Sequence, residues 1–159
     1  NIGPVNSSWC HFQTDRAGFH FNKKVAVSGD VTFFYSDERL KTVTGNLNTK
    51  EALANLRTWK PVRYVGNHLA KSNGFDEEGE HIGLLAQDVE KHYPELTPLA
   101  PFDQEDGISK SGENYKTLKY ERTVAVLVAA LQEEATQREN LENKVERLEA
   151  LVNKLLQEK

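Results

Sequence analysis

Short apolar runs alternate with turn formers through the first 35 residues: Trp9 to Phe12, Ala17-Gly18, Phe19 to Phe21, Asn22, Val25 to Val27, Ser28-Gly29-Asp30 and Val31 to Tyr35. Such runs predict strands. Trp9, Phe12, Phe19, Phe21, Phe33 and Phe34 load this stretch with more apolar surface than so short a segment buries alone. Partner chains, or a region preceding the stretch, are expected to cover it. The pattern then changes. Asn48-Thr49-Lys50-Glu51 has the form of a capping box, with Asn48 as N-cap and Glu51 reaching back, and Ala52, Leu53, Leu56 and Trp59 follow at helical spacing up to Pro61. Val62 to Val65 and His81 to Leu84 read as a hairpin around a long solvated tip, Gly66 to Glu80. Leu85 to His92 predicts a second short helix ended by Tyr93-Pro94, Pro98 to Gly112 a loop, and Tyr115 to Leu118 a returning strand.

From Tyr120 to the end there is neither Gly nor Pro, which predicts one helix of about 40 residues, roughly 60 Å long. Leu127, Glu134, Leu141, Leu148 and Leu155 at d place Val124, Leu131, Arg138, Val145 and Val152 at a. A helix packed only along its own domain rarely keeps a 3.5-residue repeat so far, so the pattern predicts a coiled coil between chains. β-branched a positions with Leu at d favour two strands, whereas Leu151 at g and Leu156 at e widen the stripe toward three. Glu134 and Arg138 form a polar break, expected to be loose, hydrated or paired across chains. The fold class expected is α+β: a β-rich stem over 1–35, a small mixed domain over 36–119, and a coiled-coil helix over 120–159.

Charge and composition exclude several functions. A net charge of −4, without a clustered basic stripe, argues against nucleic acid as a partner. No apolar stretch reaches membrane-spanning length and no signal-peptide pattern opens the chain. Cys10 is the only cysteine, so no internal disulfide forms, and it reads as a small semi-buried apolar residue. His11, His20, His68, His81 and His92 lack metal-ligand spacing, and the acidic run Asp76, Glu77, Glu78, Glu80 beside His81 reads as a hydrated tip. No metal and no cofactor are expected. A start at Asn1 and the absence of methionine suggest a piece cut from the C-terminal end of a longer chain.

The candidate chemistry sits at the junction of the two halves, in Phe33-Phe34-Tyr35-Ser36-Asp37-Glu38-Arg39-Leu40-Lys41. A lysine that burial has neutralised can take the proton of a serine hydroxyl, so Ser-Lys is an alternative to Ser-His-Asp. Ser36 and Lys41 can meet if the segment turns once, and Ser36 Oγ then lies close to its own preceding carbonyl, that of Tyr35. The bland alternative makes Ser36 an N-cap, with Asp37 and Glu38 in a first helical turn and Lys41 solvated.

Residues 33 to 159 resemble the intramolecular chaperone auto-processing domain at the C-terminus of phage tail fibres, neck appendages and endosialidase tailspikes, also found in myelin regulatory factor. The matching pieces are Phe34-Tyr35-Ser36-Asp37-Glu38-Arg39-Leu40-Lys41, Ala52-Leu53-Ala54-Asn55-Leu56, Tyr64, Ile82 to Val89, Tyr93-Pro94-Glu95-Leu96 and Tyr115 to Tyr120, in order before the long helix. The resemblance implies a homotrimer that assembles the fibre region preceding it in the same polypeptide, then releases itself. It implies Ser36 as nucleophile and first residue of the released chaperone, Lys41 as general base, and Tyr35 as the end of the mature fibre. Asp37 is a candidate supporting residue, while Gln87-Asp88 reads as structural. The implied setting is the host bacterial cytoplasm during assembly, with the mature fibre in the virion tail serving host attachment. The competing reading is a non-catalytic trimerisation or virion-docking module; the two differ on one bond.

Overall fold

The computed structural model describes residues 2–4, 8, 10–15, 18–19, 21, 25–29, 31, 35–75 and 78–158. The expectations falling on Trp9, Ala17, His20, Asn22, Asp30, Phe33, Phe34, Asp76 and Glu77 lie outside these residues. The chain divides into two compact units, Asn1–Lys41 and Thr42–Lys159.

In the first unit, β1 (Ile2–Pro4) pairs antiparallel with β2 (Cys10–Phe12), with Gly3 opposite His11. The Phe12 and Phe19 rings meet edge to face, 6.4 Å between centroids. Val25–Val27, expected as a strand, is in none, nor are Phe19, Phe21, Val31 and Tyr35. β propensity becomes a strand only where a neighbour supplies the ladder. Phe12, Phe19, Phe21, Val25, Val27, Val31 and Tyr35 are all exposed, as the excess of apolar surface in this stretch requires of one chain by itself.

The second unit is mixed α/β with small two-stranded sheets and one long C-terminal helix. α1 (Thr49–Leu56) starts where Asn48 Oδ1 accepts the N–H groups of Lys50 and Glu51 at 3.1 and 3.2 Å. It buries Ala52 and Leu53 against α4 (Tyr120–Gln157), which supplies Val126, Ala129 and Ala130 to the same core. Small residues on the α4 side let the two backbones approach closely. Trp59, Val89, Tyr93 and Leu96 complete the core, the Trp59 and Tyr93 rings packing edge to face at 6.0 Å. One buried carboxylate locks the helix pair. Glu133 accepts from Thr49 Oγ1 and from Gln137 Nε2, both at 2.9 Å, and these bonds, Gln137's first, hold its carboxyl below the usual range.

β3 (Pro61–Tyr64) and β4 (His81–Leu84) form the expected hairpin, Val62 opposite Gly83. Gly83 has a steric reason: a Cβ there would lie 2.8 Å from Tyr120 Oη, which accepts the Leu84 N–H at 2.9 Å and so ties β4 to the start of α4. The tip is not wholly irregular, since Asn67 caps the short helix α2 (His68–Ser72) through the Ala70 N–H. α3 (Ala86–Glu90) occupies the middle of the predicted second helix.

The loop expected over Pro98 to Gly112 contains a small hairpin, β5 (Gln104–Glu105) with β6 (Ile108–Ser109). Its turn, Asp106-Gly107, has positive φ at both residues, 49° and 82°, the geometry two-residue hairpins favour. The strand expected at Tyr115–Leu118 reduces to a single bridge, Leu99 with Lys116. Asp103 explains the loss: its carboxylate captures the N–H groups of Ser111 and Tyr115 and the Ser109 hydroxyl, at 2.8 to 3.0 Å, folding the segment around a side chain instead of a neighbouring strand.

Burial pushes the Asp103 carboxyl up, but those bonds outweigh it and hold it down at about 2 against an ordinary 3.8. A depressed acid stabilises the fold above its unfolded value and loses that contribution as pH falls through the folded one. Tyrosine fluorescence of the chain is therefore expected to report opening of this loop as pH drops from 3.8 through about 2. Asp103→Asn is expected to open it already at neutral pH and to flatten the acid response.

Along α4 two apolar faces coexist. Thr123, Val126, Ala129, Ala130 and Glu133 face the unit's own core, whereas the a and d residues Val124, Leu127, Leu131, Leu141, Val145, Leu148, Val152 and Leu155 are exposed. The helix thus packs on its own domain without using its heptad stripe, and from Thr136 to Gln157 every residue is exposed. The polar break is engaged within the chain: Arg57 reaches Glu134 at 3.3 Å, and Arg138 approaches Glu142 at 3.8 Å.

Candidate functional site

Ser36 to Lys41 lies in the first unit, as one 3₁₀ turn (Glu38–Leu40) between two extended residues, Asp37 and Lys41. Its backbone bonds run from Leu40 N to Asp37 O at 3.1 Å and from Lys41 N to Glu38 O at 3.0 Å. The turn brings its two ends together: Lys41 Nζ donates to Ser36 Oγ at 3.2 Å. The spacing permits this contact only if the chain turns once, and it does.

The bland alternative is met in part: Lys41 is exposed, while the cap falls one residue later. Asp37, not Ser36, is the N-cap, its Oδ1 accepting the Arg39 N–H at 2.9 Å. Arg39 also closes on the carboxylate with its side chain, Nε to Oδ1 at 3.0 Å and Nη2 to Oδ2 at 2.7 Å. These bonds, the side-chain pair first, hold the Asp37 carboxyl below the usual range. Arg39 stands in the quoted motif, but nothing in its spacing assigned it a role. The signal was Asp followed two residues later by a residue able to bond it through both backbone and side chain.

Tyr35, which carries the carbonyl before Ser36, is exposed, as are Ser36 and Lys41. Asp88 is buried on α3 and bonds Lys91 Nζ at 2.9 Å, the first cause of its lowered carboxyl. Its Oδ1 is thus engaged inside the second unit, while Oδ2 is buried without a hydrogen-bond partner. Among the described residues no three His, Cys, Asp or Glu side chains converge as a metal site would require, and Glu80 pairs with Arg63 at 2.6 Å. No helix among them is long and apolar enough to cross a membrane.

The second unit is a small α/β body with a long helix, and in sequence it follows a β-containing segment that ends with Ser36 and Lys41 in contact. The family model Peptidase_S74, described as chaperone of endosialidase, matches residues 36–97. The match begins on Ser36 and takes in Lys41, α1, the β3–β4 hairpin and α3. Over this segment the chain is similar to that family, which supports a phage tail fibre intramolecular chaperone domain. The family's name also places it among peptidases.

Proposed function

We propose that this chain is a self-cleaving intramolecular chaperone: it trimerises through α4, assembles the fibre region preceding it in the same polypeptide, and then cuts the Tyr35–Ser36 bond. The observation that carries the reading is the 3.2 Å contact between Lys41 Nζ and Ser36 Oγ, at the residue where the family match starts. An interwoven β fibre has many non-local contacts and assembles slowly, so a trimeric bundle at its end raises local concentration and fixes register. Cleavage afterwards removes the assembly aid and leaves a kinetically trapped product. The setting is the host bacterial cytoplasm during assembly, with no nucleic acid, membrane, metal or cofactor required.

The chemistry needs Lys41 as a base. An ammonium only donates to Ser36 Oγ; a neutral amine in the same place accepts the hydroxyl proton, and desolvation is what favours the neutral form. Ser36 Oγ then bonds the Tyr35 carbonyl carbon while its proton passes to Lys41 Nζ. The bond from that carbon to the Ser36 nitrogen breaks, and the leaving amine takes the proton. Water hydrolyses the resulting ester, leaving Tyr35 with a carboxylate and Ser36 with a free amine and its hydroxyl restored.

Exposure of both side chains in one chain favours one other reading, a trimerisation or virion-docking module without catalysis. Intact-mass spectrometry after incubation separates the two. The parent is expected to break at Tyr35–Ser36, and Ser36→Ala and Lys41→Ala to stay whole; an uncut parent leaves the docking module.

A further inference from the structure

Regular helical geometry does not bring positions i and i+5 onto one face, so the contact between Ser36 and Lys41 depends on how the intervening turn is held. A three-residue 3₁₀ turn has little stability of its own. None of its residues is buried, so no core packing fixes it. What fixes it is polar. Asp37 accepts three N–H groups from Arg39, one from the backbone and two from the guanidinium, at 2.7 to 3.0 Å. An exposed ion pair by itself contributes little, but here the two-pronged pair and the N-cap share one carboxylate and close the same turn.

The pairing has an electrostatic consequence too. The charged groups of the turn are Asp37, Glu38, Arg39 and Lys41. A carboxylate beside an ammonium favours the charged form of that ammonium, and a neighbouring guanidinium favours its loss of a proton. Arg39 bonds both oxygens of Asp37, so the carboxylate next to Ser36 in sequence is paired with a positive charge.

We infer that Arg39 and Asp37 form a positioning clamp for the dyad, in which Asp37 shapes the turn that sets Lys41 against Ser36 and Arg39 keeps the Asp37 charge from holding the proton on Lys41. The inference rests on the self-cleavage reading above. It gives Arg39, to which the sequence assigned nothing, a part in the reaction, and it gives Asp37, a candidate supporting residue, a definite part as one that acts through its neighbours.

The test is the rate of self-cleavage of the full chain against pH, for the parent, Arg39→Ala, Arg39→Lys, Asp37→Asn and Asp37→Ala, with Ser36→Ala as the blank. Small displacements of a reacting pair cost up to about a hundredfold, so Asp37→Ala is expected to lower the plateau rate on the order of 30-fold. Asp37→Asn, which still offers a cap acceptor, is expected to recover most of that loss. The half-plateau pH is expected to rise in Arg39→Ala and to fall in Asp37→Asn, while Arg39→Lys keeps it near the parent's. Far-UV circular dichroism, dominated by α4, identifies any variant that has simply failed to fold.

A lower plateau with an unmoved midpoint in both Arg39→Ala and Asp37→Asn overturns the inference, since a mere support for the turn would behave so. Parental rates and midpoints in all variants overturn it as well, while the dyad reading stands on the inert Ser36→Ala. A parent that stays whole overturns the dyad reading and the clamp with it.

Discussion

Leu141→Asp combined with Leu148→Asp is expected to leave the chain monomeric and to slow self-cleavage at least about a hundredfold, although neither residue lies in the unit that carries the dyad. Both are exposed d positions on the part of α4 where every residue is exposed, so the substitutions remove nothing from the chain's own core. In a seam between helices, however, each would bury a carboxylate without a partner, at a cost of several kcal/mol. The link to cleavage is desolvation. Lys41 is exposed in one chain, and closure of a trimer is proposed to take it out of water and make it a base. Sedimentation equilibrium and cleavage rate, measured on the same samples, provide the check. The milder Leu148→Ala is expected to regain its rate as protein concentration rises, because cutting then follows the assembled fraction. A monomer that cuts as fast as the parent would sink the trigger, because the contact at 3.2 Å would then suffice by itself.

The two apolar faces of α4 explain why the sequence could announce the exposed stripe on which the proposed seam rests. A stripe at a and d repeats every seven residues over the whole helix, whereas the face turned to the chain's own core is confined to Thr123 through Glu133 and consists partly of alanine and polar residues. Periodicity sees the first at once. The second becomes visible only when α1 is laid against it and Thr49 meets Glu133, a pair 84 residues apart.

The same distinction runs through the rest of the chain. α1, with its Asn48 cap, and the β3–β4 hairpin were legible because their signals are local. α2 was missed in a polar tip because a five-residue helix is too short to show a period, though Asn67 was a cap signal. Asp106-Gly107 was a turn signal for the small hairpin, set between runs too brief to read as strands. The strand expected at Tyr115–Leu118 fell to a competitor outside any pattern, the Asp103 carboxylate. At the candidate site, the meeting of Ser36 with Lys41 followed from spacing once a single turn was assumed. The clamp that holds the turn did not, because which side chain Arg39 would choose is a question of geometry.

Trp59→Ala is expected to be the most damaging single change to the second unit, costing about 4 kcal/mol in urea unfolding at fixed protein concentration. Trp59 is 6% exposed and sits after α1, where its ring packs edge to face on Tyr93 beside Leu53, Val89 and Leu96. Deleting it opens a cavity between α1 and the segment after α3 that the backbone cannot easily close. Trp59→Phe discriminates between the ring and its polar atom. The indole Nε1 is buried without a hydrogen-bond partner, and an unsatisfied buried donor costs about 1–3 kcal/mol. Phe keeps an aromatic edge for Tyr93 and removes that donor, so it is expected to fall within about 1 kcal/mol of the parent. A Phe variant as unstable as the Ala variant would mean that the bicyclic volume, with its N–H satisfied in solution, is what the core requires. Cleavage gives a second readout, because α1 braces the N-terminal turns of α4 from which the proposed seam would begin. Trp59→Ala is expected to weaken assembly and slow cutting together, while Trp59→Phe leaves both near the parent. Loss of assembly without loss of cutting would again separate the chaperone from its protease and return the trigger to the turn itself.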